Sequence, residues 1–268
     1  MARVRIGSQE IAYEVEGRGD PVLLLMGLGG DRHGWDLVRP ALAARHRLVL
    51  VDHRDAGESA EATAPYGLGD VAADALGVMD ALGVERFHVV GASMGGAVAQ
   101  HLALQAPTRV AALVLVSTWA RTDAMLAAVL GSFRLLRERL APAEFLAAIA
   151  PWAFTARHFE APSAELAAFL DAARGGPPPS VAAYRRQADA CLAHDVTALL
   201  PLLATPSLVL VGEDDVLTPP RYARALAAAL GRAEVAVVPA SGHACFLESP
   251  KAVAERVLRF LARHPVAG

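Results

Sequence analysis

The chain has 268 residues, 54% of them hydrophobic, with a formal net charge of -3. That is enough apolar material for one large core, and so for one domain with room for an inserted subdomain. The near-neutral balance argues against a polyanion-binding face, and no Lys/Arg cluster with interleaved aromatics points to nucleic acid. The start, Met1 to Ile6, runs directly into alternating sequence without the apolar stretch and small-residue cleavage site of a secretory signal, so a cytoplasmic protein is expected. Pro21 to Gly30 is too short and glycine-rich to span a bilayer, so no membrane partner is expected.

In chain order, Arg3 to Ile6 and Ile11 to Val15 predict an antiparallel pair turning at Gly7-Ser8-Gln9. Val22 to Leu25, Leu48 to Val51, Phe87 to Val90, Ala112 to Val116, Leu208 to Val211 and Val235 to Val238 are short Val/Leu-rich runs. Such runs predict strands of a parallel sheet buried on both faces. Between and after them, helices are predicted over Trp35 to Ala44, Leu68 to Leu82, Met94 to Ala106, Pro220 to Leu230 and Pro250 to Arg263. Alternating strand and helix means an open α/β sheet, whose sites lie beyond the carboxyl ends of the strands.

The alternation stops between Trp119 and Asp195. Alanine-rich helical segments and the breaker Gly175-Gly176-Pro177-Pro178-Pro179 predict a helical cap at 119–195 inserted into a core of 1–118 and 196–268. Such a cap would cover the site. Trp119, Met125, Trp152 and Phe154 are candidates for the apolar wall of a substrate pocket, with Phe133, Phe145 and Phe159 beside them; each serves equally well as packing within the cap.

Gly91-Ala92-Ser93-Met94-Gly95 joins the strand ending at Val90 to the helix starting at Met94. A serine flanked two residues away on each side by glycine at such a junction fits a nucleophile elbow, in which the sharp turn pushes the hydroxyl into a cleft. A glycine-rich turn whose serine caps the next helix would explain the same residues, but it requires no base or acid downstream. Both are present. Asp215 lies three residues past Gly212 at the end of one predicted strand, and His243 follows the next in Ser241-Gly242-His243. A serine hydroxyl needs an imidazole to take its proton, and the imidazole needs a carboxylate to hold it.

With Asp52-His53-Arg54-Asp55-Ala56-Gly57-Glu58-Ser59 as a fourth motif, the chain resembles the α/β-hydrolase superfamily nearly end to end. The resemblance implies a mostly parallel eight-stranded sheet with helices on both faces and a helical cap. It also implies nucleophile Ser93, acid Asp215 and base His243, with no cofactor. The oxyanion hole would use the backbone N–H of Met94 and that of Leu28 in Met26-Gly27-Leu28-Gly29-Gly30, where many relatives have His-Gly in place of Met26-Gly27.

Other residues are discounted. His53, Arg54 and Asp55 are expected to hold their own turn together, and Asp214 to fix the turn before Asp215. His33, His46, His88, His101, His158, His194 and His264 lack metal-ligand spacing, so no metal is expected. Cys191 and Cys245 are expected as free thiols, and no nucleotide-binding glycine motif is present. The expected activity is hydrolysis of a carboxylic ester of a small, largely apolar molecule by a monomer or homodimer. Stretches similar to enol-lactonases and polyketide methylesterases leave lactone hydrolysis open. Carbon–carbon bond hydrolysis and cofactor-free haloperoxidase or perhydrolase chemistry on the same fold are further alternatives, and a non-catalytic small-molecule receptor is the alternative outside enzymes.

Overall fold

A computed structural model describes residues 1–161, 163–164, 166–167, 169–170 and 178–266. Gly175 to Pro177 of the predicted breaker lie outside the described residues. Eight strands form one sheet: β1 (Ala2–Ile6), β2 (Gln9–Glu16), β3 (Pro21–Leu25), β4 (Arg47–Val51), β5 (Phe87–Ala92), β6 (Val110–Val116), β7 (Ser207–Gly212) and β8 (Ala233–Val238). Their order is β1-β2-β4-β3-β5-β6-β7-β8. Strand β2 runs antiparallel to both its neighbours, and the other pairings are parallel.

The period of two along each strand divides the core into two layers. Leu23, Leu25, Val49, Val51 and Val89 face α2 (Leu68–Ala81) and α3 (Met94–Gln105). Val22, Leu24, Leu48, Leu50 and Val90 face the opposite layer, which includes Leu42 of α1 (Arg39–Ala43). The chain between β6 and β7 carries the helical insertion: α4 (Ala124–Arg139), α5 (Pro142–Ala153), α6 (Arg157–Glu160) and α7 (Val181–Leu192). Its ends meet in an isolated antiparallel bridge between Arg121 and Asp195. Three helices follow: α8 (Pro220–Ala229), α9 (Cys245–Glu248) and α10 (Pro250–Leu261), whose Val253, Val257 and Phe260 pack into the second layer.

Two expectations change. The helix predicted over Trp35 to Ala44 is a 3-10 turn, Arg32–Trp35, followed by the short α1. Pro40 has no N–H and its ring crowds the carbonyl four residues back, so a continuous helix through Asp36 is disfavoured. Strand β8, predicted as buried on both faces, is the sheet edge, with Val235 40% and Val237 38% exposed. A valine-rich run alone does not distinguish the last strand from a central one. Among the described residues, no helix is long and apolar enough to cross a membrane.

Candidate active site

Ser93 sits between β5 and α3 with φ 53 and ψ -119, a conformation that costs a non-glycine residue about 1–3 kcal/mol. Its surroundings hold it there. The Ser93 N–H donates to the Val116 carbonyl at 2.8 Å, and Thr118 Oγ1 donates to the Ser93 carbonyl at 2.7 Å. A side chain at Gly91 would strike the Gly95 backbone, and one at Gly95 would strike that of Leu25, so both flanking positions are closed to larger residues. Ser93 occupies the N-cap of α3 yet makes no side-chain capping bond. Its hydroxyl faces His243 instead.

His243 Nε2 lies 3.0 Å from Ser93 Oγ, and Nδ1 lies 3.0 Å from Asp215 Oδ2. The three residues come from the carboxyl ends of β5, β7 and β8, as predicted. The loops after β7 and β8 are joined by the Asp214 N–H donating to the Ser241 carbonyl at 2.9 Å. A side chain at Gly212 would collide with the Ser241 and Gly242 carbonyls, so glycine there permits this approach. Asp214 is exposed and Asp215 is buried, which separates the two neighbouring carboxylates.

Asp215 Oδ1 accepts from the backbone N–H groups of Leu217 at 2.9 Å and Thr218 at 2.7 Å. Burial alone would raise its pKa; the charge and hydrogen bond of His243, with the bonds from Thr218, outweigh burial and hold the carboxyl below its ordinary value. Thr218 Oγ1 is 2.9 Å from Asp215 Oδ2 and 3.1 Å from His243 Nδ1, so its hydroxyl bridges the carboxylate and the imidazole. Thr218 was not predicted; its only sequence signal is a hydroxyl three residues after an aspartate, common in many turns.

The loop that carries His243 is also anchored. Glu248 accepts from the Gly242 N–H, from the Thr155 N–H and hydroxyl at 2.8 Å each, and approaches His158 Nδ1 at 2.7 Å. The Ala244 N–H donates to the Ala153 carbonyl at 2.8 Å. The insertion is thus fastened on both sides of His243. Nothing in the sequence distinguished Glu248 from an ordinary helical carboxylate.

The turn containing Leu28 lies against the serine: a Cβ at Gly27 would be 3.2 Å from Ser93 Cβ. The Gly30 N–H donates to the Gly27 carbonyl at 3.1 Å, and Gly29 has φ +73. Among the described residues, neither the Leu28 nor the Met94 N–H donates to a protein acceptor.

The side-chain bonds that close the Asp52–Ser59 turn on itself involve Asp52, Glu58 and Ser59. Contrary to expectation, His53, Arg54 and Asp55 reach outward to the Met26 carbonyl, Asp74 and Arg186, because the fold brings α2 and α7 against the turn. Asp52 accepts from the Arg32 guanidinium and from the Glu58 N–H, and Ser59 Oγ donates to the Asp52 carbonyl. His53 is fully enclosed, and burial pushes its imidazole down to about 4, so it is neutral and its Nε2 donates to the Met26 carbonyl at 3.0 Å.

The predicted wall residues are dispersed. Met125 is 59% exposed. Trp119 is buried with its indole N–H on Thr122, and Phe154 packs with Ala150, Leu166 and Ala244 in a small separate cluster. Trp152 meets Phe133 edge-on with centroids 6.0 Å apart. Phe133, Phe145 and Tyr184 belong to the large apolar cluster against which Leu28, Trp152 and Leu217 also pack. Cys191 and Cys245 are free and buried, and burial pushes the Cys245 thiol up to about 12, far from thiolate reactivity.

The family model for the alpha/beta hydrolase fold matches residues 20–250. A proposed carbamate hydrolase, RutD, of Azorhizobium caulinodans is 32% identical over 261 residues, covering 95% of this chain and 96% of that protein. A thermophilic esterase from Thermogutta terrifontis superposes with TM-score 0.88 and 30% identity over 98% of this chain and all of that one (100%). The enol-lactonase from Burkholderia xenovorans LB400 superposes with TM-score 0.89 and 25% identity, covering 97% of this chain and 100% of that one. The chain belongs to the α/β-hydrolase fold family and is a hydrolase of that fold.

Proposed function

We propose that the protein is a serine hydrolase that cleaves carboxylic esters of small, largely apolar molecules through an acyl-enzyme. The observation that carries this reading is the continuous chain from Ser93 Oγ through His243 to Asp215, with both contacts of the imidazole at 3.0 Å. Ser93 Oγ attacks the ester carbonyl as its proton passes to His243 Nε2, while Asp215 holds the Nδ1–H and stabilises the imidazolium. The Leu28 and Met94 N–H groups receive the carbonyl oxygen as it becomes an oxyanion. Collapse breaks the bond to the leaving alcohol, which takes the proton from His243. Water then gives a proton to His243, attacks the acyl carbon and releases the acid, and Ser93 regains its proton.

The apolar character of the substrate is supported by the cluster that joins Leu28, Leu217 and Trp152 to Phe133, Phe145 and Tyr184. In this reading residues 119–195 act as a cap that closes the acyl pocket. A second reading, hydrolysis of a carbamate, draws on the described activity of the RutD relative. It uses the same attack on a carbonyl with a different leaving group.

Turnover of p-nitrophenyl acetate, butyrate and octanoate beside a phenyl carbamate separates these readings. The expected result is multiple turnovers of an ester, reduced about a thousandfold or more in Ser93→Ala with the fold intact. Preferential turnover of the carbamate favours the second reading. A single stoichiometric burst without further turnover, or equal rates in wild type and Ser93→Ala, contradicts the esterase assignment.

A further inference from the structure

The turn that carries Leu28 is not held by the sheet core alone. Gly27 to Gly30 form a β-turn closed by the Gly30 N–H to Gly27 carbonyl bond, with the left-handed conformation at Gly29. The central peptide of such a turn can rotate at little cost unless one of its groups is engaged. Here it is engaged from the insertion, more than 150 residues along the chain: the Gly29 N–H donates to Gln187 Oε1 at 2.9 Å. Gln187 Nε2 in turn donates to the Arg54 carbonyl at 3.0 Å. Its side chain is buried and spans the Leu28 turn and the Asp52–Ser59 turn.

Neighbouring residues of α7 reinforce this grip. Tyr184, one helical turn before Gln187, packs its ring on Gly29, where a Cβ would be 2.9 Å from Cε2. Arg186 makes a bidentate pair with Asp55 at 2.9 and 2.6 Å, and Asp55 has φ 68. On the far side of the Leu28 turn, His53 holds the Met26 carbonyl.

We propose that Gln187 is a positioning residue of the cap, which sets the oxyanion-hole turn against Ser93 by fixing the Gly29 N–H and bracing it on the Arg54 carbonyl. This inference rests on the serine-hydrolase reading above. It makes α7 a part of the catalytic architecture in addition to a cover for substrate. Gln187 touches no reacting atom; by fixing the Leu28–Gly29 peptide it holds in place the turn that carries the Leu28 N–H in the preceding peptide. Loss of the grip therefore weakens stabilisation of the tetrahedral oxyanion and leaves ground-state binding of the ester largely unaffected.

The test compares Gln187→Met, which keeps the side-chain length and removes both hydrogen-bonding groups, with Gln187→Asn, which stays polar but is one methylene short. Gln187→Glu keeps an acceptor toward Gly29. Removing a direct oxyanion donor costs about 10²–10³ in kcat, so displacing its turn is expected to cost about 10- to 100-fold. In whichever loss variant folds, kcat should fall by that factor while KM stays within about threefold, and Gln187→Glu should recover at least part of the loss.

A trifluoromethyl ketone, which forms a tetrahedral adduct on the serine, should lose affinity by the same factor, while the matching methyl ketone should not. A folded Gln187→Met or Gln187→Asn with wild-type kcat overturns the inference. So does a fall in kcat with unchanged trifluoromethyl ketone affinity, which would mark a general structural role. Absence of esterase activity in the wild type, or full activity in Ser93→Ala, contradicts the underlying reading instead.

Discussion

Burial and bonding separate Asp215, the proposed catalytic acid, from its neighbour Asp214. Asp215 receives two backbone N–H bonds and the Thr218 hydroxyl and lies 3.0 Å from His243 Nδ1, whereas Asp214 is exposed. Replacing Asp215 with Asn leaves a group that cannot accept the Nδ1 proton in the same way and favours the wrong imidazole tautomer. Asp215→Asn is therefore expected to lower kcat on the order of 10⁴-fold. Asp214→Asn should retain most activity; steady-state kinetics of the pair checks this, and the reverse ranking would move the acid by one residue. The positions of Ser93, Asp215 and His243 were legible in the sequence because each sits at a strand end with its own local glycine signature. Thr218, Gln187 and Glu248 were not, because their roles depend on partners brought close only by the fold. Gln187 lies 158 residues from Gly29, and no local pattern encodes that meeting.

The parallel strands were readable as elements because apolar runs of four or five residues fit a sheet covered on both sides. The exceptions follow from context: Pro40 interrupts the first predicted helix, and β8 has one neighbour where the inner strands have two. The insertion was recognisable as helical, but its wall residues were not, since an aromatic residue on a cap helix gives the same pattern whether it packs inward or meets substrate. The structure now distinguishes Trp152 from Phe154. Trp152 packs with Phe133 in the cluster that also contains Leu28 and Leu217, and Phe154 packs beside Ala244, one residue past His243. Trp152→Ala should shift preference among acyl chain lengths by several-fold per carbon, an apolar methylene being worth on the order of 1 kcal/mol. Phe154→Ala should lower rates for all chain lengths alike, along with stability by about 3 kcal/mol. A panel of p-nitrophenyl esters with thermal unfolding measures both; a chain-length profile unchanged by Trp152→Ala would mean that other side chains build the pocket.

At the scale of the whole molecule, buried imidazoles are expected to make stability fall on the acid side. Burial pushes His53, His88 and His194 down to about 4 from 6.5. His88 is the extreme case: both ring nitrogens are buried without a hydrogen-bond partner among the described residues, and the ring packs edge-on to His46 at 6.1 Å. The folded state keeps these groups neutral where the unfolded chain would protonate them. Their contribution is complete above pH 6.5 and is lost as pH falls toward 4, at up to about 1.4 kcal/mol per pH unit for each fully linked proton. The urea midpoint should therefore drop between pH 7 and pH 4.5. His88→Leu, which removes one of these sites, should make that decline shallower; an unchanged slope in a folded His88→Leu protein would show that its imidazole is not linked to unfolding in this range.

All these effects converge on one chemical claim, that Ser93 is the residue acylated during turnover. Treating the native protein with a fluorophosphonate and mapping the adduct by peptide mass spectrometry tests it directly. The adduct is expected on Ser93 alone, at one per chain, and absent from Ser93→Ala. An adduct on another serine, or undiminished labelling of Ser93→Ala, would contradict the account.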